Sequence, residues 1–243
     1  MAAHATGQAG HAGERRGVRA PRELRGRFVQ RCAVPISEPQ EELTSRLRAL
    51  VRSSSLLMRA LRAARTVNPP DWLIGAGVIR DRVWDHLHGS AQPRPSRDVD
   101  LAFFDPSSLE GERELSVQRE LSAQAPDICW EVTNQASVHL WYPEVFGVEV
   151  EPLTSCADAV GTWPETATAI GIRLLADDSL KVIAPCGLDD LFGLVCRRNP
   201  RRVTKEQYRR RVDSKQIAKR WPRVQVLGSQ GGERETRPKR GIP

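Results

Sequence analysis

No apolar run in this chain approaches the roughly 20 residues a helix needs to cross a bilayer. The N-terminal stretch MAAHATGQAGHAGERRGVRAPRELRGRF lacks the apolar core of a secretory signal, and it holds arginine but no serine, unlike a transit peptide. A cytoplasmic protein with no membrane partner is therefore expected. Five cysteines, at 32, 129, 156, 186 and 196, form no CxxC pair, which excludes a zinc ribbon and a thioredoxin-like centre and leaves reduced, mostly buried thiols. GxxxxGK[ST], HExxH and GxSxG are all missing, so a P-loop NTPase, a zincin and an α/β-hydrolase are excluded as well. Aromatics make up only 5% of the 243 residues, yet all six tryptophans fall between Trp72 and Trp221, which marks the ordered part.

What is present is unevenly distributed. Residues 53–196 carry 11 Lys+Arg against 21 Asp+Glu, whereas residues 197–243 carry 16 against 4. An acidic region beside a basic one suits a protein that holds a cation with one part and phosphate with the other; a solvated basic helix and tail would look the same. Residues 1–38 are rich in Ala, Gly and Arg without periodicity and are expected to be a disordered basic tail, as is 228–243 at the other end. One domain over 39–227 is expected between them.

Periodicity predicts a helix over 41–65, stopped by Asn68-Pro69-Pro70, then a short strand at Trp72-Leu73-Ile74 and a second helix over 78–88. An extended loop at 92–96 precedes an apolar strand over 98–104. A helix over 112–123, a strand over 128–133 and a short strand at 148–150 follow. Thr162-Trp163-Pro164-Glu165 reads as a helix start, with Thr162 as the cap. Asp177-Asp178-Ser179 reads as the turn of a hairpin, Gly187–Leu191 as a helix opening, and 205–219 as a basic helix. Helices and strands mix without regular alternation, so the class is α+β or mixed α/β.

Asp98 and Asp100 stand at i and i+2 on the apolar strand, so they point to one face. Two carboxylates that close repel unless a cation lies between them, and Mg²⁺ takes such hard oxygen ligands. Upstream, Gly75-Ala76-Gly77 turns from strand to helix, where free backbone N–H groups attract phosphate. Arg80 lies within reach of the same turn. A third carboxylate would complete a site for two metal ions; Glu131 is the candidate, and Glu149 with Glu151 is the rival pair. Asn134, Gln135 and His139 follow that strand and suit contacts to a base, a sugar hydroxyl or a phosphate.

A glycine turn, a helix and DxD on the next strand together resemble the nucleotidyltransferase superfamily that includes DNA polymerase β and the aminoglycoside nucleotidyltransferases. More closely, the chain is similar to a bacterial nucleotidyltransferase family of unassigned substrate. The runs that carry the likeness are AGVIRDRVWDHLHG, RDVDLAFFD, EVTNQASVHLW, WPETATAIGIRL, APCGLDDLF and RVDSKQIAKRWP. The resemblance implies a core sheet flanked by helices, two Mg²⁺ ions held by Asp98 and Asp100 with Glu131 as the third acid, and a triphosphate at Gly75 and Gly77. It implies transfer of a nucleoside monophosphate from an NTP to an acceptor that the sequence does not identify. Two positions depart from the pattern. Ala76-Gly77 stands where Gly or Ser usually follows the first glycine, and Ser137-Val138 stands where Arg then Met usually precede the histidine. A catalytically degenerate nucleotide-binding member, and a nucleic-acid-binding protein using the basic C-terminal segment, are the alternatives. The sequence leaves the oligomeric state open.

Overall fold

In this computed structural model, residues 38–90 and 98–228 are described. The tails expected at the two ends therefore lie outside the described residues except at their inner margins, as does the loop expected over 92–96.

The chain enters through two helices rather than the single one expected over 41–65. Helix α1 spans Glu38–Arg52 and α2 spans Ser55–Val67. The break falls at Ser54, whose hydroxyl accepts the Leu57 N–H at 3.3 Å, so a residue that competes with the backbone has become an N-cap. Asn68, with φ 47°, closes α2 before the two prolines. Strand β1, Leu73–Gly75, leads through the glycine turn into α3, Gly77–Leu87.

Strand β2 is Val99–Phe103, and after α4, Glu112–Gln124, the chain returns as β3, Trp130–Asn134. The crossover through α4 makes β2 and β3 parallel, whereas β1 runs antiparallel to β2. The strand expected at 148–150 does not form. Those residues are irregular, and before them stands a helix that was not expected, α5, Val138–Phe146, which tolerates Pro143 and ends at Gly147 in the left-handed region. A short helix α6, Cys156–Val160, leads to the hairpin of β4, Gly171–Leu174, and β5, Leu180–Ile183. Its turn sits where Asp177-Asp178-Ser179 placed it, with Asp178 at φ 62°. The sheet order is β3-β2-β1-β4-β5.

Helix α7, Asp189–Phe192, is a single turn. Strand β6, Val195–Arg197, pairs in parallel with β7, Gln225–Leu227, forming a second small sheet. Between them the expected basic helix is split into α8, Lys205–Lys215, and α9, Ile217–Arg220, by Gln216 at φ 51°. Thr204 and Gln207 form a capping box that starts α8. One face of the five-stranded sheet packs on α2, α3 and α4 through Ile74, Leu101, Phe103, Val117 and Leu121, all buried. The opposite face is covered over β1 and β4 by Cys156, Val160 and Ala169, and lies open over β2 and β3.

Candidate active site

The open half of that face carries the acidic residues. Asp100 on β2 is paired in register with Gly75 on one side and Glu131 on the other. Register partners project to the same face, so the bend after β1 and the two carboxylates form one row across three strands. Asp98 lies two residues earlier, at the entry to β2, and is half-buried. Burial, and next the charge of Asp98, push the Asp100 carboxyl above its ordinary range; Arg211 and Lys215 on α8 and a hydrogen bond with Glu131 oppose the rise. Burial likewise raises Glu131, followed by the charges of Asp98 and Asp100 and a hydrogen bond with Asp98. Glu131 thus hydrogen-bonds to both Asp98 and Asp100. Glu149 and Glu151 are exposed, outside any strand, and are absent from the cleft lining.

The turn at Gly75 is packed tightly. A Cβ on Gly75 would lie 2.5 Å from the Ile170 carbonyl oxygen and 2.6 Å from the Trp163 ring, so only glycine fits. Ala76 donates its N–H to that same carbonyl at 3.1 Å and holds φ 57°, ψ −125°, a conformation that L-residues rarely adopt. Gly77 is not forced by space, since a Cβ there would meet only Arg80 Nη2 at 4.0 Å. The helix α3 begins at Gly77, so its first N–H groups face the row.

Arg80 is buried behind the turn and does not line the cleft. Its guanidinium lies 5.3 Å from the ring centroids of both Trp84 and Trp221, and Nε and Nη2 donate to Asp81 at 3.0 and 2.7 Å. Asn134 is also committed elsewhere. Its amide donates to the carbonyls of Asp105 and Ser108 and accepts the N–H groups of Asp105 and Ala136, so it fastens loops rather than facing a ligand. Gln135 does line the cleft. His139 does not, and its Nδ1 is buried without a hydrogen-bond partner.

The row forms the floor of a cleft of about 740 Å³. Two helices wall it, each with a stripe at i, i+3, i+4 and i+7. Helix α5 presents Val138, Trp141, Tyr142 and Val145, and α8 presents Gln207, Arg210, Arg211 and Ser214. Arg211 is the basic residue fixed most firmly. Its Nε donates to Glu165 Oε1 at 2.6 Å, and Thr168 Oγ1 donates to Glu165 Oε2 at 2.6 Å. Glu165 itself is only 1% exposed. The expected helix start at Thr162–Glu165 is therefore corrected: Thr162 donates its hydroxyl proton to the Ala159 carbonyl, closing α6, and Glu165 precedes a single 3₁₀ turn, Thr166–Thr168, while gripping Arg211. Sequence reasoning missed Arg211, Glu165 and the α5 stripe. The run of Leu140, Trp141, Tyr142, Val145 and Phe146 was the available signal, masked by Pro143.

As it stands, no group of three or more His, Cys, Asp or Glu among the described residues is arranged to hold a metal ion. The chemistry of the three carboxylates nonetheless fits a hard divalent cation, because the donors are all oxygen and the charge of Asp98 bears on Asp100, and the charges of both on Glu131.

A family model described as Nucleotidyltransferase matches residues 62–226. A solved structure described as an NMR structure that reveals a CCA-adding enzyme head domain is similar at 26% identity, with a TM-score of 0.64 over 75% of this chain and 94% of that one. A second, described as a tRNA-processing enzyme in an apo form, shares 17% identity at a TM-score of 0.43, over 81% of this chain and 46% of that one. No curated protein matches the chain.

Proposed function

Since the chain belongs to the nucleotidyltransferase family, we propose that it moves a nucleoside monophosphate from an NTP to an acceptor, with Mg²⁺ and with Asp98, Asp100 and Glu131 as the acidic residues. The observation that carries this reading is the register that sets Gly75, Asp100 and Glu131 side by side on the open face. Likeness to a domain described as a CCA-adding enzyme head supports nucleotidyl transfer as the reaction class.

Asp98, Asp100 and Glu131 would hold Mg²⁺, as two ions. The metal, when bound, neutralises charge on the triphosphate and on the leaving pyrophosphate. The N–H groups at the start of α3, with the positive end of that helix, receive phosphate oxygens. Arg211, held by Glu165 beside Asp100, adds a fixed positive charge to the phosphate path. The acceptor oxygen bonds to the α-phosphorus as its bond to pyrophosphate breaks. Glu131, whose proton affinity is raised, takes the acceptor's proton. Gln135 offers both a donor and an acceptor to a sugar or base in the cleft.

Incubation with α-labelled NTP and Mg²⁺ across a panel of acceptors tests the reading, with label on one acceptor and release of pyrophosphate as the expected result. An Asp98→Asn variant that transfers label as fast as the parent protein would rule out the metal role. The chain's Ser137-Val138, in place of the family's Arg and Met, favours one second reading: nucleotide binding without turnover, seen as NTP affinity in calorimetry with no labelled product.

A further inference from the structure

The basic segment after residue 197 contains only two aromatic residues, Tyr208 and Trp221, and both are buried. Taken alone, that segment gives bases nothing to stack on. The fold supplies the missing aromatics from elsewhere in the chain. Across the cleft from Arg210 and Arg211, α5 exposes Trp141 at 37%, Phe146 at 42% and Val145 at 63%. Trp141 and Phe146 lean on Tyr142, with ring centroids 6.1 and 4.4 Å away, and keep their remaining surface in the open, whereas Val138 and Tyr142 on the same helix are buried against Leu153 and Ala159. Arg202 lies at the seam of the two walls. Its guanidinium donates to the Glu151 carbonyl and stands 5.8 Å from the Tyr142 ring centroid, so its charge is held on the aromatic side.

A wall of partly exposed rings facing arginines, Arg211 held by the buried Glu165 and Arg210 exposed beside Glu206, matches a ligand with stackable faces and an anionic backbone. Position decides which ligand this is. The triphosphate end of the cleft is the start of α3, beside β1, on the far side of β2 from β3. The α5 wall follows β3, on the other side of the row. β3 runs on past Glu131 for three residues, about 10 Å of strand, to Asn134, and α5 begins after the turn that follows. That is too far for the wall to hold the reacting hydroxyl, and it is on the wrong side for the triphosphate. It is where the body of the acceptor lies behind its reacting end.

Building on the proposed transfer reaction, we propose that the acceptor is the end of a single-stranded polynucleotide, whose bases stack on Trp141 and Phe146 and whose phosphates face Arg202 and Arg210. A protein acceptor would leave the cationic wall without a regular anionic counterpart, and a small polar acceptor would leave the apolar wall uncovered. Every base has a π-face, so such a wall binds strands with little sequence preference and releases counterions as it does so.

The test is fluorescence anisotropy of end-labelled 12-nucleotide single strands, ribo and deoxyribo in separate arms, on the full chain carrying Asp100→Asn so that chemistry cannot contribute. Binding that weakens steeply with salt is expected. Trp141→Ala should weaken it about fivefold or more. Arg210→Gln should lower the log–log salt slope by about 0.7. The arm that binds tighter identifies the strand type. Equal strand affinity in the Trp141→Ala and Phe146→Ala variants, with circular dichroism unchanged, overturns the proposal. So does a dimer at micromolar concentration that Trp141→Ala dissociates while strands fail to bind, because the wall is then an interface between copies of this chain. Label transfer to another acceptor without strand binding sinks the strand proposal and leaves the transfer reaction standing. Strand binding that depends on Trp141, with no NTP turnover in the parent protein, does the reverse.

Discussion

Two strand-to-helix connections flank the acidic row, and they are built in opposite ways. The first, Gly75-Ala76-Gly77, is closed. A ring and a carbonyl press on Gly75, Ala76 is held in an unfavourable conformation, and a buried arginine lies behind. The second runs from Asn134 through Ser137 into α5. The Asn134 amide is saturated by loop carbonyls and N–H groups, but the helix that follows leaves Trp141, Val145 and Phe146 exposed. The lesson is a division of labour. Rigidity is concentrated at the bend proposed to seat the triphosphate, and exposed apolar surface at the wall proposed to admit the acceptor. Strain that persists in a folded chain has to be over-determined by its surroundings, and at the first connection it is.

Predictions that strike the closed side should have the largest effects. Asp100→Asn should cut transfer roughly 10²–10³-fold, measured with labelled NTP. The same change should stabilise the metal-free protein at neutral pH. Asp100 and Glu131 bind protons more tightly folded than unfolded, so between about pH 4 and their raised values the native state holds the extra protons. Their contribution is complete at low pH and is lost as pH rises through that window. Melting temperature against pH should therefore fall less steeply in Asp100→Asn, and added Mg²⁺ should raise it in the parent protein only.

Gly75→Ala comes next. Its methyl group would sit inside contact distance of backbone and ring, so unfolding free energy should drop by about 1–3 kcal/mol in urea titrations. A Glu165→Gln exchange should cost about the same, since a charge-assisted bond to Arg211 is lost. It should also raise KM for NTP more than it lowers kcat. An unchanged KM would detach Arg211 from the phosphate path. Ala76→Gly is smaller and opposite in sign, a gain of about 1 kcal/mol from relieved backbone strain. On the open side, Trp141→Ala should cost less than Gly75→Ala, about 1 kcal/mol or below, because Trp141 is 37% exposed and rests only on the helix's own Tyr142 among the rings. A large loss there would mean that α5 is structural and would erase the contrast.

Legibility in the sequence followed the range of the interactions. The carboxylates could be read because alternation along a strand is local, and the bend because its glycines adjoin it. Which carboxylate stands beside Asp100 was narrowed to three by sequence, and strand register selected Glu131. The Glu165–Arg211 pair was not readable, since 46 residues separate its members and Glu165 fitted a local cap pattern. Ser54 splitting one periodic run into two helices is the same failure in reverse, a capping hydroxyl hidden inside an amphipathic repeat. Asn134 and Arg80 show that polar residues near a site often serve the scaffold. The Asn134 amide is spent on loop carbonyls, and the Arg80 guanidinium sits against two indole rings and donates to Asp81 through Nε and Nη2, with its buried Nη1 left without a partner.

The Trp221 indole leans edge-on against Trp84 with centroids 5.2 Å apart and donates to Asp85 at 2.8 Å, while Arg220 reaches Asp81 at 2.8 Å. The far end of the chain thereby becomes the keystone over Arg80. A polypeptide halted before residue 220 would uncover a cation seated deep in the molecule and release the post to which the basic helix is moored. Loss of Trp221 would therefore be felt at Arg80 and along α8, well away from the small sheet that the segment goes on to join.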